Sequence, residues 1–466
     1  MARLYIPEPK IKLYEDGFEE HDKLGRKATG DKLSDLVERI DDPLVIALDG
    51  AWGSGKSVFL KCWVGQHLKR EGNTTQTVYF DAFQHDYLDD PLIALTSAIS
   101  ERIERDPESK SAKAWRIAKN AAPFLGKAAL RLGTAALVGK AISLTGDEDG
   151  ALNDIGDKLS EEGGDIAKSL DDFWKKEDGK RAAMEAFRSA LVQLTAPDEQ
   201  GSPTQKLVIV IDELDRCRPD YALSVLEIIK HFFNVDGVHF VLGTNLLELA
   251  NSVRSRYGSG SNAEGYLGKF ITLSMRLNNA NKHVGLKPLL QFSKNAKEEM
   301  GLAGNPLAEA LDVYLELPRL NQSLSLRDIE RLYSHCSVLH PFDTAWGGAL
   351  SNWMLAGLII LKHQSSKEFR ALCLGNTRQI GLLETLGFDK LSFPNRDPHR
   401  VERHQLLSEF WNYIFNDGFR ADQEWVNERH KQFMPDDLNR GSMHSVVLET
   451  ARNKLGEVEV VPFGDD

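Results

Sequence analysis

Leu44-Val45-Ile46-Ala47-Leu48-Asp49-Gly50-Ala51-Trp52-Gly53-Ser54-Gly55-Lys56-Ser57 is the stretch on which the reading of the fold turns. An apolar run of strand length leads directly into a complete G-x-x-x-x-G-K-[ST] octapeptide, and Ser57 to Leu68 then reads as a helix. Each part has a physical task. The glycines let backbone N–H groups converge on phosphate oxygens, and the helix points its positive end at the same anion. Lys56 is expected to reach the β- and γ-phosphates, and the Ser57 hydroxyl to bind Mg²⁺. The expected contact set is Gly50, Ala51, Trp52, Gly53, Ser54, Gly55, Lys56, Ser57 and Val58.

Such a loop needs an acidic partner on another strand, and Leu207-Val208-Ile209-Val210-Ile211-Asp212-Glu213 supplies it. Asp212 is the expected second magnesium ligand. Glu213 is placed to polarise an attacking water, as in NTPases with an extra strand between the two motif strands. Asn245 ends the run Val238 to Gly243 and has two readings, a polar sensor of the γ-phosphate or the N-cap of a helix from Leu246 to Arg254. No N-K-x-D element for guanine is present, which makes adenine the default base.

Further strands are expected at Thr77–Asp81 and Phe270–Leu273. Their alternation with helical patterns such as Tyr221 to Phe233 predicts a parallel sheet with helices on both faces. Beyond Met275 the pattern is helical, with helices at 307–315, 326–338 and 353–361. At 466 residues the chain exceeds one compact core. Its net charge of −12 argues against a protein devoted to gripping nucleic acid. Cys62, Cys217, Cys336 and Cys373 form no C-x-x-C pair and read as buried hydrophobes in a reducing compartment; with an N-terminus lacking an apolar core, this points to the cytoplasm.

Gly50 to Ser57 with its internal Trp52, and Asp212-Glu213-Leu214-Asp215-Arg216-Cys217, resemble the two site motifs of the KAP family of P-loop NTPases. Weaker similarities lie at Asp22 to Arg26, at Phe80 to Gln84 with Pro91 to Leu95, and at Leu326 to Arg331. The resemblance implies an additional-strand sheet in the order 5-1-4-3-2, ATP hydrolysis, and work at membranes or in excluding phage and mobile elements. Two departures stand out. Glu213 occupies a position that is often aspartate, and Asn245 replaces an acid common at that strand end.

The expected organisation is a lead-in at 1–40, a P-loop domain at 41–275 with a helical insertion at about 106–179, a helical bundle at 276–390 and a small helical module at 391–466. The insertion begins basic, from Lys110 to Lys140, and turns acidic after Thr145. Phe124 to Leu144 is long enough to span a membrane, but Lys127, Arg131 and Lys140 interrupt it, and a central cation costs about 2.5–3.5 kcal/mol. The competing readings are a peripheral membrane or partner contact through 111–145, at the inner membrane face, and a self-paired hairpin. Ala345 to Leu361 reads as a core helix, and His399 and His404 as surface histidines. Arg327 or Arg331 is expected to reach a phosphate from the bundle. Arg254 and Arg256 are candidates for an arginine offered to a neighbouring subunit in a homo-oligomer.

Overall fold

The computed structural model describes residues 3–104 except 8 and 89, 177–196, 203, 205–277 except 233, 287–339, 348–375, 379–388, 398–415 and 440–455. The expected insertion, apart from residues 177–179, lies outside these, as do the readings placed on it.

Strands β1 (Leu44–Asp49), β2 (Thr75–Asp81), β3 (Lys206–Asp212), β4 (Val238–Thr244) and β5 (Leu273–Arg276) pair in parallel in the order β2-β3-β4-β1-β5. This is the expected 5-1-4-3-2 order read from the other edge. Period-two alternation divides each inner strand between two cores. Val208 and Val210 join Ile46 and Leu48 beneath α1 (Lys27–Arg39) and α2 (Lys56–Leu68). Leu207, Ile209 and Ile211 join Phe80 and Phe240 on the opposite face. That face is covered by α3 (Pro91–Glu104), α4 (Glu177–Leu194), α5 (Pro219–Lys230) and α6 (Leu246–Tyr257). Burial on both faces explains why β1, β3 and β4 are apolar runs without polar alternation.

The fifth strand corrects the sequence reading. Phe270 and Ile271 both donate from the backbone to Leu267 O, so the chain is still turning out of the helix Ala263–Leu267. Pairing with β1 begins only when Thr272 N donates to Val45 O at 2.9 Å. Phe270 is apolar because it packs under the sheet from a turn.

The remaining described chain forms a helical core. Helices α7 (Lys287–Glu299), α8 (Pro306–Leu315), α9 (Leu326–Val338), α10 (Gly348–Gln364) and α11 (Pro398–Phe415) contribute Leu289, Tyr314, Leu332, Leu358 and Trp411 to one cluster. Residues 398–415 and 440–455 enter this same core. Trp411 donates its indole N–H to the Tyr314 hydroxyl at 2.7 Å, and a methyl at Gly357 would stand 2.4 Å from its ring. Within α10, Leu355 and Leu358 to Leu361 have no exposure, as a core helix requires. No helix of the described residues is long and apolar enough to cross a membrane. His404 is a correction: it is 1% exposed, with Nε2 at 2.9 Å from Val313 O. Its polar ring is buried because a backbone carbonyl receives it. The side chain of His399 lies outside the description.

Candidate functional site

The loop between β1 and α2 holds its shape through left-handed backbone. Gly53 has φ +71° and Gly55, the N-cap of α2, has φ +82°. No side chain caps α2, so its first-turn N–H groups are left for an anion. Lys56 is folded back on the loop, donating to Gly50 O at 2.6 Å and Ala51 O at 3.3 Å. Burial pulls the pKa of its ammonium down, against Asp215 and Asp212, which favour the charge.

The second half of the site lies at the end of β3. Asp212 is fully buried, accepting the Tyr79 hydroxyl at 2.7 Å and the Glu213 N–H at 2.9 Å. Its partner across the ladder is Gly243, where a Cβ would stand 2.3 Å from Asp212 Oδ1. Glycine at that position makes the room the carboxylate occupies. The Ser57 hydroxyl donates to Glu213 Oε1 at 3.4 Å and lines the same cavity as Asp212. Burial raises the pKa of both acids, and Glu213 sits at φ +59°, a strained conformation for a non-glycine residue.

Two other segments close over the loop. Arg26 is buried and donates from Nη1 to Ser54 O at 2.7 Å; burial lowers its pKa to about 10, which leaves it charged. From the helical core, the first turn of α9 lies on the loop itself. A Cβ at Gly53 would stand 2.6 Å from Arg327 Cβ and 3.1 Å from Ser325 Oγ. The N-terminal segment is tied to the helical core, with Ile6 N donating to Glu330 Oε1 at 2.6 Å and Arg3 N to Met300 O at 2.8 Å. Together they enclose a cavity of about 650 Å³, whose lining includes Lys56, Ser57, Asp212, Glu213, Arg26 and Arg327.

The profile of the KAP family P-loop domain matches residues 26–342. The chain belongs to the KAP family. No curated protein matches it. Among solved structures it is similar to the ORC2 protein of Aeropyrum pernix in ADPNP–ADP complexes, with TM-score 0.34 and 11% identity over 97% of this chain and 96% of that one. At that distance the likeness supports nothing further.

As a KAP P-loop domain, the chain has the means to bind and hydrolyse a nucleoside triphosphate. The structure brings Gly53 to Val58, Asp212, Glu213 and Arg327 to one cavity. Asn245 does not join them there. Its side chain accepts the Leu247 N–H at 3.2 Å and so N-caps α6. Its neighbour Thr244 has a fully buried hydroxyl with no hydrogen-bond partner, at the β4 residue paired with Asp49. Arg254 and Arg256 are tied on the surface to Glu264 and Asp220. The sequence reading missed Arg26 as a site residue, Gly243 as the space for Asp212, and the bond from Trp52 Nε1 to Asp215 Oδ2 at 2.5 Å.

Magnesium fits the oxygen donors present. Ser57 and the buried Asp212 line one cavity, and burial leaves that carboxylate in want of a counter-charge. Such a cation takes one or two protein oxygens and the rest from phosphates and water.

Proposed function

We propose that this protein is a Mg²⁺-dependent ATPase acting as a molecular switch between its sheet domain and its helical core. One observation carries the reading: the first turn of α9 rests on Gly53 of the phosphate-binding loop, so whatever fills the loop is felt at once by the helical core. In this reading Lys56 leaves the Gly50 and Ala51 carbonyls for the β- and γ-phosphates, and α2 receives the phosphates on its N–H groups. Ser57 and Asp212 hold magnesium, which shields phosphate charge when bound. Glu213 accepts the proton of the water whose oxygen attacks the γ-phosphorus, while the bond to the ADP oxygen breaks. Its raised pKa suits it to take that proton. Arg327 enters the cavity from the helical side and is assigned to the phosphates.

Self-association and the family's settings, exclusion of phage and mobile elements or assembly at a membrane face, belong to the same proposal. Lys56→Ala tests its centre. ATP binding measured by calorimetry with Mg²⁺ should be lost, and phosphate release with it. Unchanged phosphate release in Lys56→Ala would end the ATPase reading.

A further inference from the structure

β3 is followed by a 3₁₀ turn, Leu214–Arg216, and side chains three apart eclipse in such a turn. Glu213 and Arg216 meet for that reason, with Nη1 of the guanidinium 3.0 Å from Glu213 Oε1. The same oxygen faces the Ser57 hydroxyl at 3.4 Å. The guanidinium therefore stands one carboxylate oxygen away from the phosphate-binding loop. Arg216 lines the cavity beside Lys56 and Trp52, and its side chain is 28% exposed. The Trp52–Asp215 bond ties the tip of the loop to the same turn, so the position of one sets that of the other.

This arrangement is unsuited to catalysis as it stands. The guanidinium occupies Glu213 Oε1, the same oxygen that faces the Ser57 hydroxyl, so the carboxylate is held away from an attacking water. A γ-phosphate offers the same planar fork more charge and more acceptor oxygens than a carboxylate does. ADP has no such group. We propose that Arg216 exchanges partners: it restrains Glu213 while the site lacks triphosphate, and moves to the γ-phosphate when ATP binds. That movement frees Glu213 for the water and places a positive charge, supplied by the chain itself, where negative charge is redistributed during transfer. The inference rests on the ATPase reading above and gives that site its discrimination between ATP and ADP.

The test compares Mg·ATP and Mg·ADP binding by calorimetry in Glu213→Gln, where turnover is blocked, with and without Arg216→Met. Methionine keeps the aliphatic stem and removes the fork. Affinity for ATP should fall about 10- to 100-fold, the worth of a charge-assisted contact, while affinity for ADP stays within about twofold. In otherwise wild-type protein, Arg216→Met should lower kcat by on the order of 10³. Equal losses for ATP and ADP, or no loss, overturn the exchange. If a melting curve shows Arg216→Met unfolded, Arg216→Lys replaces it, and a smaller loss confined to ATP is expected. Loss shared by both nucleotides, or none, overturns the proposal there as well. Wild-type protein that binds no ATP, or binds it no better than Lys56→Ala does, removes the ATPase reading and the exchange with it.

Discussion

The two ends of α2 are built from similar materials and do opposite things. At its N-terminus, Lys56 is turned onto backbone carbonyls, the buried Ser54 hydroxyl has no hydrogen-bond partner, and two half-buried or buried carboxylates have raised pKa values. At its C-terminus, His67 is fully buried, yet Nδ1 lies 2.9 Å from Ser34 Oγ and Nε2 lies 3.2 Å from Glu38 Oε1. Trp63 Nε1 donates to the same serine at 3.0 Å, and Thr74 donates to Glu38 at 2.8 Å. Serine, histidine and glutamate in sequence would suggest nucleophilic chemistry by type alone. Ser34, however, is 2% exposed and already receives the indole, so no substrate can reach it. The difference is one of balance. The C-terminal network sets histidine against glutamate within the chain, although His67 Nε2 and Glu38 Oε1 face each other without hydrogen-bond geometry, and the N-terminal one leaves charge and strain that a ligand can answer.

Glu213→Gln breaks the comparison most sharply. Turnover should fall by about 10²- to 10⁴-fold, measured as phosphate release at saturating ATP. Stability should hold or rise, because the change removes a buried carboxylate whose charge the site disfavours. A variant that melts well below wild type would show that Glu213 is holding the fold and not waiting for substrate.

His67→Ala attacks the other end. It opens a cavity and strands Ser34 and Glu38, so a loss of about 2–4 kcal/mol is expected in urea unfolding. Per folded molecule, kcat should be unchanged. A drop in kcat larger than the folded fraction explains would mean that the two ends of α2 are coupled.

What was legible beforehand divides along the same line. The loop and β3 were readable because a buried parallel strand is an unbroken apolar run and a phosphate cradle needs fixed glycines, whereas the strand order came only with the family resemblance. Helix Leu326–Val338 was equally plain from its spacing. Contacts between distant segments were not. Nothing local marks Arg26 as the residue over Ser54, Gly243 as the space beside Asp212, or α9 as the cover of Gly53. Phe270 misled for a related reason, since an apolar residue under a sheet can belong to a turn as well as to a strand. His404 misled because a histidine among charges reads as exposed until the carbonyl that receives it is known.

A smaller effect sharpens the electrostatic side of the contrast. Burial raises the pKa of Glu38, but His67, Thr75 and Thr74 outweigh it and hold the carboxyl at about 2, below its ordinary 4.5. A depressed folded value means that the ionised group contributes stability above pH 4.5 and loses it as the pH falls towards 2. Glu38→Gln should therefore lower the urea midpoint at pH 6, and the gap from wild type should narrow by pH 3. A gap that stays constant would place the contribution in packing and not in charge.

The smallest effect separates the two roles open to Asn245. Its side chain is occupied as the cap of α6, so Asn245→Ala should cost about 1 kcal/mol in urea unfolding and leave kcat within about twofold. Thr244→Val is the informative companion. It replaces a buried hydroxyl that finds no partner in the fold with a methyl of nearly the same size, so packing gives no reason for lost stability. If kcat falls in Thr244→Val and holds in Asn245→Ala, the polar group serving the nucleotide at the end of β4 is the threonine. Loss of kcat in Asn245→Ala alone would return the sensing role to the asparagine, and would require it to leave its cap when ATP binds.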